Sequence, residues 1–401
     1  MNADVTIKST QLIAESCEEL IRIADWWREY SQDFTHGGFF GEITNDNTPV
    51  INANKGVILN TRILWFFSEV AELLESDFYK QVADRAYEYL CDYFVDPQFG
   101  GVYWELNAQG QVVNNKKQIY AQAFAIYALS SYYKITQDSS ALKLALNLFE
   151  LIETRGIDKE HQGYLEAFTR EWNSLDDWRL SDKDLNFPKS QNTHLHILEA
   201  YTSLYQLVSS SVIEDALRYN IQMFDRYMID RKTGHLRMFM DLQWQDHSPG
   251  FTYGHDIEAA WLIGLALDVL GDQLLQQKML PDLIKIAEVN YLCARDSSGY
   301  IKDGFDFASQ TEKNEAVWWV QAEAMVGYLY AWRWTQDKKY FAAAEAVWNF
   351  IKQNQMDNEK GEWFWLSKKD DASRQSAYKA GFWKCPYHNG RTMMEVMRLL
   401  K

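Results

Sequence analysis

Three histidines, each near the start of a different apolar segment, are the residues of this sequence best suited to acid and base chemistry. They are His196, His255 and His388. A single histidine is most often structural, but three in equivalent positions favour a shared chemical role. Because imidazole titrates near neutral pH, two of them flanking a carbon could remove a proton from one face and return one to the other. Next to a carbonyl, this step also needs a cation for the developing enolate oxygen, and Arg62 fits that role.

Other polar or aromatic side chains occupy similar positions, close to the starts of largely apolar segments. Such polar groups cost free energy inside a protein unless they are paired or used in function. Taken together they are the candidates for one functional site. In chain order the full set is Asn60, Arg62, Tyr120, Asn192, His194, His196, His255, Glu258, Trp318, Trp319, His388 and Asn389.

Metal binding is a competing use of these residues. His194 and His196 are two residues apart, so on a helix they diverge and cannot hold one ion. His255 and Glu258 are three apart and share a face, which would suit a metal or let the carboxylate orient the imidazole; we expect orientation. The sequence contains no HExxH, EF-hand loop, P-loop or helix-initiating GxGxxG motif. We therefore predict no metal site and no cofactor.

A glycoside hydrolase is the alternative from another enzyme class. Such an enzyme needs two carboxylates that flank the bond to be cleaved, and Glu258 and Glu323 stand in suitable segments. Most titratable groups in the candidate set are histidines, which favours enolisation over acetal cleavage. A catalytically silent protein-binding module is a third alternative, disfavoured by the complete set of histidines.

The elements that carry these residues follow an internal repeat. Six times the chain shows an acidic residue, a short polar turn, one or two glycines and an aromatic or apolar run, as in DPQFGGVYWE from Asp96. The last turn glycines are separated by 63, 62, 71, 65 and 62 residues, which is typical of a repeat architecture. These glycines are Gly38, Gly101, Gly163, Gly234, Gly299 and Gly361.

Each turn is preceded by a segment with helical periodicity and followed by a second, more apolar one. Six such pairs predict an all-α (α/α)6 barrel, formed by one domain over residues 1–401, with short β-hairpins in the loops. All inner helices then begin at one end, where functional side chains should gather. The predicted inner helices are Lys55–Leu74, Lys116–Ile135, Lys189–Val208, Tyr253–Leu270, Asn314–Thr335 and Pro386–Leu400, and predicted outer helices include Thr10–Tyr30, Phe78–Val95, Ser139–Arg155 and Ile213–Ile229.

Composition and charge restrict the partners and the compartment. The formal charge of −16 disfavours nucleic acid and anionic membranes. No apolar run is long enough to span a bilayer, and the N-terminus lacks the features of a secretory signal. The four cysteines are far apart in the sequence, which favours reduced thiols. We predict a cytoplasmic protein, a monomer or weak homodimer, that acts on a small molecule; some of its 16 Trp, 23 Tyr and 21 Phe could stack on sugar rings.

Six motifs spread over nearly the whole chain resemble the N-acylglucosamine 2-epimerase superfamily, and most closely its cellobiose 2-epimerase branch. They occur in the family's order, and the fourth and sixth together are quite specific. The motifs are KGVILNTRILWFFSE (Lys55–Glu69), QAFAIYALSSYY (Gln122–Tyr133), NTHLHILEAYT (Asn192–Thr202), YGHDIEAAWL (Tyr253–Leu262), WWVQAEAMVG (Trp318–Gly327) and WKCPYHNGR (Trp383–Arg391).

The resemblance implies cofactor-independent epimerisation at C2 of a reducing-end glucose, in cellobiose or lactose, through ring opening and an enediol-like intermediate. Motif by motif, His255 and His388 would form the general acid/base pair, in an order that the resemblance leaves open. His196 would assist ring opening or orient the substrate. The implied substrate-binding residues are Arg62, Tyr120, Asn192, Glu258, which would hold His255, and Trp319 and Trp383 at the sugar subsites.

Two departures from the family pattern concern the subsite for the second sugar. Gln191 stands where an apolar residue is expected, and Trp172–Ser190 is a long polar segment close to the predicted mouth of the barrel. A mannose/glucose 2-epimerase acting on monosaccharides therefore remains the alternative within the superfamily. Members that act on N-acylglucosamine use a nucleotide effector, but no nucleotide-binding element is recognisable here.

Overall fold

Helices that alternate between an inner and an outer ring make up most of the computed structural model, which describes residues 3–370 and 377–401. The described residues contain twelve α-helices. The outer helices are α1 (Ala3–Tyr30), α3 (Asp77–Tyr89), α5 (Ser139–Leu151), α7 (Ser211–Met223), α9 (Gln273–Val289) and α11 (Lys338–Phe350). The inner helices are α2 (Val57–Leu73), α4 (Ile119–Thr136), α6 (Gln191–Leu207), α8 (Tyr253–Leu270), α10 (Trp318–Thr335) and α12 (His388–Leu400).

The two rings differ in how the apolar residues are distributed around each helix. In α2 every residue from Val57 to Ala71 is buried, as expected for a helix that is apolar on all sides. Helix α3 instead buries one stripe, formed by Tyr79, Val82, Ala83 and Ala86, at the three- and four-residue spacing of a single face. The inner helices therefore form the core, and the outer helices cover it.

Contacts between successive inner helices close the ring. Each inner helix from α2 to α10 packs against the next, and each also packs against the outer helix that follows it in sequence. Helix α1 packs against α12. Helices α12 and α2 meet at Gly390, where an added Cβ would lie 2.3 Å from Phe66 Cε2. The predicted (α/α)6 barrel is confirmed.

A recurring turn fixes the start of most inner helices. The five outer helices from α3 onward each end in a five-residue π-helical turn, and the aspartate of the repeat follows two residues later. The last turn glycine of every repeat has a positive φ, between 60° and 99°, which a residue with a side chain adopts at a cost. In four turns the aspartate also holds a buried lysine close to the next inner helix: Lys55–Asp33 at 2.9 Å, Lys117–Asp96 at 3.0 Å, Lys189–Asp158 at 2.8 Å and Lys379–Asp357 at 2.6 Å.

Short antiparallel strands join neighbouring repeats at the same end. Strands β1–β2–β3 and β10–β11–β12 form three-stranded sheets, whereas β4–β5, β6–β9 and β7–β8 are pairs. Only some pairs are the predicted local hairpins, because β1, for example, pairs with a strand of the following repeat. The strands are β1 (Lys55–Gly56), β2 (Glu105–Leu106), β3 (Val112–Asn114), β4 (Lys117–Gln118), β5 (Ala167–Phe168), β6 (Lys189–Ser190), β7 (Ile229–Asp230), β8 (His235–Leu236), β9 (Phe239–Met240), β10 (Gly250–Thr252), β11 (Gly304–Asp306) and β12 (Thr311–Lys313).

Replacing Asp96 by Asn tests whether the buried turn pairs hold the inner helices in place. Asparagine keeps an oxygen for the backbone N–H of Gln98, but Lys117, which is fully buried, loses its counter-charge. Breaking a buried pair by removing one partner costs about 3–5 kcal/mol. We expect the free energy of unfolding, measured by chemical denaturation at pH 7, to fall by about this amount. The control Asp177→Asn, at an exposed pair with Arg179, should leave it nearly unchanged.

The effect of Asp96→Asn should also depend on pH. Burial opposes ionisation of Asp96, but hydrogen bonds from Arg170 and Lys117 outweigh burial and hold the pKa of this carboxyl well below its usual range. A carboxyl with a lowered folded-state pKa stabilises the protein above its unfolded-state pKa, about 3.9, and this stabilisation is lost as the pH falls toward the folded-state pKa. The difference between wild type and variant should be full at pH 7 and shrink below about pH 4. If wild type and variant differed in free energy of unfolding by the same amount at pH 7 and below about pH 4, this explanation would be contradicted.

Two further findings bear on location and redox state. No described helix is long and apolar enough to cross a membrane. The four cysteines are not joined in disulfides; Cys385 is buried, and Cys293 is exposed.

Candidate active site

Side chains from all six inner helices meet at the end of the barrel where these helices begin. On one side, Arg62 of α2 donates from Nη2 to the hydroxyl of Tyr120 on α4 at 2.8 Å. The Tyr120 ring contacts the His196 imidazole of α6, with centroids 5.0 Å apart. Trp383, in the loop before α12, lies 6.2 Å from the Tyr120 ring, and its carbonyl oxygen is 3.5 Å from Arg62 Nη1. These four residues form one wall.

The opposite wall comes from α8, α10 and α12. The Trp319 ring lies between two imidazoles, 4.7 Å from that of His255 and 5.5 Å from that of His388. Tyr387 connects the walls, because its ring is 4.7 Å from His388 and 6.1 Å from His196. The structure thus brings the three histidines, Arg62, Tyr120, Trp319 and Trp383 to a single site.

His388 is oriented by a carboxylate. Its Nδ1 lies 2.7 Å from Oε1 of Glu323 on α10, so an Nδ1–H donor is favoured and Nε2 is left for a substrate. Burial lowers the pKa of His388 well below its usual value, and the positive charges of Arg62 and Arg391 lower it further. Burial thus disfavours the protonated imidazole, and Glu323 favours the Nδ1–H tautomer of the neutral form.

His255 has a different partner. Its Nδ1 lies 2.5 Å from Oγ1 of Thr252, which also leaves Nε2 for a substrate. Burial and repulsion by His196 lower the pKa of His255 to about 3. The prediction that Glu258 orients His255 is wrong. Glu258 accepts a hydrogen bond from Arg391 at 2.5 Å, and its Oε1 is 3.9 Å from His388 Nδ1. The opposite charge of the buried guanidinium attracts the carboxylate more strongly than a neutral imidazole does.

The two histidines of α6 serve different purposes. His196 faces the site, where its Nδ1 lies 3.0 Å from Glu199 Oε2, and burial lowers its pKa. His194 points away from the site. It contacts the Ser190 carbonyl at 2.7 Å through Nδ1 and accepts the Tyr164 backbone N–H at 2.9 Å through Nε2, so it is a structural residue.

Asn192 lies apart from the Arg62 wall, on the side of the site that His255 occupies. Asn192 and His255 line a small pocket of about 40 Å³ together with the polar segment 172–190. The Asn192 Oδ1 atom is buried without a described hydrogen-bond partner. Lys116 Nζ and Gln118 Nε2 each donate at 2.7 Å to the Arg179 carbonyl, which holds this segment over the start of α4.

Arg62 is a buried cation without a carboxylate partner among the described residues. Its guanidinium lies 4.2 Å from the centre of the Phe124 ring and 4.4 Å from that of Tyr387. Its Nε atom is buried and makes no described hydrogen bond. Since a buried charge is costly unless it is paired, Arg62 is available to an anionic oxygen at this site.

Three charged residues that were not predicted for this site, Glu199, Glu323 and Arg391, lie just beneath the histidines. Arg391 of α12 contacts Glu199 of α6, Glu258 of α8 and Glu323 of α10. From the sequence, Glu323 is a candidate only for a hydrolase, and Glu199 and Arg391 are not predicted to belong to the site. Their signal in the sequence is a charge within a largely apolar inner helix, where it requires a partner.

One group in the described part of the chain has the composition of a metal site. Ligand atoms of Glu258, Glu323 and His388 all lie within 4.8 Å of one another. Arg391 Nη2, however, donates to both carboxylates, at 2.5 and 2.7 Å, and so supplies the positive charge that they share. The carboxylates are thus already matched to a guanidinium.

Activity should therefore survive exhaustive treatment with EDTA, and added Zn²⁺ or Mn²⁺ should not raise it. The physical reason is that a metal ion would have to displace or repel Arg391. The measurement is the initial rate before and after chelation, with a parallel assay in metal-free buffer. A rate lost on chelation and recovered with one divalent metal would contradict this expectation. No added nucleotide should be required either, because the sequence has no phosphate-binding loop.

The fold and this site define a helical barrel in which three histidines lie beside a buried cation. The N-acylglucosamine 2-epimerase (GlcNAc 2-epimerase) family matches residues 38–390, and the chain belongs to this family. It is 44% identical to a cellobiose 2-epimerase of Bacteroides fragilis over 94% of this chain and 96% of the relative. A cellobiose 2-epimerase of Ruminococcus albus is 37% identical over 96% and 98%. The protein is therefore an isomerase of the epimerase type, as the resemblance predicts.

Solved structures agree with this assignment. Cellobiose 2-epimerase from Bacillus thermoamylovorans superposes with a TM-score of 0.91 at 35% identity, over 97% of this chain and 99% of that one. A D-mannose isomerase matches with a TM-score of 0.83 at 21% identity, over 96% and 97%. A family 76 glycoside hydrolase matches with a TM-score of 0.63 at 12% identity, over 96% and 77%. These last two share the fold, which by itself does not separate isomerases from hydrolases.

Proposed function

We propose that this protein interconverts glucose and mannose at the reducing end of a disaccharide such as cellobiose or lactose by moving a proton at C2. The observation that carries the proposal is the buried Arg62 cation, which lacks a described carboxylate partner and shares a site with three histidines. An enediolate oxygen next to C2 would supply the missing negative charge. The similarity to cellobiose 2-epimerases supports the choice of sugar.

The chemistry requires only groups that this site provides. After ring opening, assisted by His196, one imidazole of the His255/His388 pair takes the C2 proton on its Nε2. The electrons of the C–H bond form the enediolate, whose oxygen is stabilised by Arg62 and by the Tyr120 hydroxyl. The other imidazole takes up one proton from solvent as the negative charge of the enediolate develops, and it returns that proton to the opposite face of C2. The first imidazole is then left protonated and the second neutral, which is the arrangement that the reverse reaction requires.

The surroundings favour a protonated imidazole only when the substrate oxygen is charged. Burial lowers the pKa of both His255 and His388, so the free site resists taking up a proton. The negative charge of the enediolate and the Glu323 carboxylate, 2.7 Å from His388 Nδ1, both offset this penalty. An imidazole of the pair is thus more readily protonated when the enediolate is present than in the free site.

Features on two sides of the site support a disaccharide substrate. Trp319 and Trp383 belong to opposite walls, and aromatic rings pack against the apolar faces of sugars. Segment 172–190 and Asn192 border the site beyond His255, where a second sugar would extend. The unpaired Oδ1 of Asn192 would accept a hydrogen bond from a hydroxyl of that sugar.

Hydrolysis is less well supported by the geometry. Glu258 and Glu323, the candidate carboxylate pair, both accept hydrogen bonds from Arg391 Nη2, so they converge on one cation instead of flanking an open space. A glycosidase needs one carboxyl on each side of the scissile bond.

Product analysis with cellobiose, lactose, mannose and glucose, assayed side by side, tests the proposal. We expect glucosyl-mannose from cellobiose and galactosyl-mannose from lactose, without free monosaccharide. Efficient conversion of free mannose and glucose alone would support the monosaccharide alternative. Release of two monosaccharides from cellobiose would show a hydrolase, and inactivity with all four sugars would contradict the proposal.

We further propose that the protein has a single catalytic domain, is a monomer or weak homodimer, uses no cofactor and is located in the cytoplasm.

A further inference from the structure

We propose that Arg391 is a positioning residue that sets the proton affinity of His388 and His196 through the carboxylates it binds, without touching the sugar. This inference rests on the proposed epimerisation for its effect on catalysis. Its effect on the histidines can be measured independently of activity.

The Arg391 guanidinium is buried among the inner helices. The residue is 2% exposed, and its side chain contacts groups on three other inner helices. Nη2 donates to Glu258 at 2.5 Å and to Glu323 at 2.7 Å. Nη1 donates to Glu199 and to the Tyr387 hydroxyl. One cation therefore neutralises part of the charge of three carboxylates.

Two of these carboxylates pass the effect on to the imidazoles. Glu323 faces Nδ1 of His388 at 2.7 Å, and Glu199 faces Nδ1 of His196 at 3.0 Å. In both cases an ionised carboxylate fixes the proton on Nδ1 and leaves Nε2 free for the substrate. If a carboxylate took up a proton, it would no longer favour the Nδ1–H tautomer of the imidazole that it faces.

Charge balance explains why the cluster needs Arg391. With neutral imidazoles and all three carboxylates ionised, Glu199, Glu258, Glu323 and Arg391 together carry two negative charges. Without Arg391 they would carry three, in a region that burial isolates from water. Burial and the neighbouring Glu323 already raise the pKa of Glu258 to about 7, whereas Arg391 opposes that rise. Removing Arg391 should therefore make the cluster bind an additional proton near neutral pH.

The other arginine of the site is placed differently. Arg62 has no carboxylate partner among the described residues and borders the space between the imidazoles, so it acts on the substrate. Arg391 is saturated with protein partners on both of its terminal nitrogens. The two arginines should thus respond differently to substitution.

A cavity of about 490 Å³ offers direct access to Arg391 from the opposite end of the barrel. It is lined by the C-terminal turns of the inner helices, and Glu199 and Arg391 form part of its wall. None of the three site histidines borders it. In an Arg391→Ala variant, a free guanidinium ion could enter through this cavity and occupy the place of the deleted group.

The test compares wild type with Arg391→Met, Arg391→Lys and Arg391→Ala. We expect Arg391→Met to move the acid limb of the kcat/KM pH profile upward by about 1 pH unit or more. At pH 7 its kcat should fall by about 10²-fold or more, with little change in KM. Arg391→Lys, which keeps the charge, should lie between Met and wild type. Low millimolar guanidinium chloride should restore part of the activity of Arg391→Ala but not of Arg62→Ala.

Titration of the imidazole nitrogens by ¹⁵N NMR provides the readout that does not depend on turnover. In Arg391→Met the cluster should take up its additional proton at a higher pH than in wild type, seen at His388 or His196. Arg398→Met is the matched control, because Arg398 pairs with Glu69 and Glu395 at the far rim of the cavity. It should leave both the titration and the pH profile unchanged.

The outcomes separate the explanations. Loss of activity in Arg391→Met with unchanged pH limbs, unchanged imidazole titration and no response of Arg391→Ala to guanidinium would show a purely structural residue and overturn the proposal. If Arg391→Met does not fold, the intermediate pH profile expected of Arg391→Lys decides. If wild type has no epimerase activity, the proposed function fails, while the NMR titration still tests the role of Arg391.

Discussion

The variants His255→Asn and His388→Asn should each lose a factor of about 10²–10⁴ in kcat on cellobiose while keeping the fold. Each residue lies at the start of an inner helix, and its loss removes a general acid or base that no neighbouring group can replace. In the proposed reaction both proton transfers are needed for each product. The double variant should therefore be scarcely worse than either single variant, because groups that act as a unit do not contribute additively.

His194→Asn is the matched control for these two variants. His194 is buried on α6 like His196, but both of its nitrogens contact backbone groups outside the site. Its replacement should lower the melting temperature while leaving kcat per folded molecule nearly unchanged. Substantial epimerisation by the double variant, or a loss in His194→Asn as large as in His388→Asn, would show that the catalytic pair is misassigned.

Arg62→Met should lower kcat by a factor of about 10²–10³, the range seen when a group that stabilises an oxyanion is removed. The physical reason is that Arg62 offers the only described cation in the site that is not already paired with a carboxylate. Arg62→Lys should recover part of the loss, because it keeps the charge but not the two-nitrogen geometry.

Stability distinguishes this effect from damage to the fold. Since Arg62 is a buried charge without a carboxylate partner, replacing it by Met should leave the free energy of unfolding unchanged or raise it. Denaturation curves of wild type and variant would measure this directly. A variant that loses stability and activity together would indicate that Arg62 mainly supports the structure.

The barrel could be predicted from the sequence because its signals are local and repeated. The turn glycines occupy left-handed conformations in all six repeats, and in four repeats the aspartate of the turn pairs with a buried lysine that precedes the next inner helix. Helix α8 begins and ends at the predicted residues. Helix α10 begins at Trp318, four residues later than predicted, because residues 311–313 form a strand and Val317 is still extended.

The site could be predicted only as far as its residues follow from helix position. The starts of the inner helices identified Arg62, Tyr120 and the histidines, and the structure places them together. The partner of Glu258 could not be deduced in this way. Spacing within α8 suggested His255, but the stronger interaction comes from Arg391, 133 residues away. Contacts between distant helices across the barrel axis leave no local pattern in the sequence.

Turnover of cellobiose in D₂O tests the central claim of proton transfer at C2 most directly. If two imidazoles act on opposite faces, the proton that is returned comes from the second imidazole, which exchanges with solvent. The mannose unit formed at low conversion should therefore carry deuterium at C2 and at no carbon beyond it, as measured by NMR and mass spectrometry of the product. A product that retains protium at C2, or that carries deuterium only at carbons other than C1 and C2, would contradict the proposed mechanism.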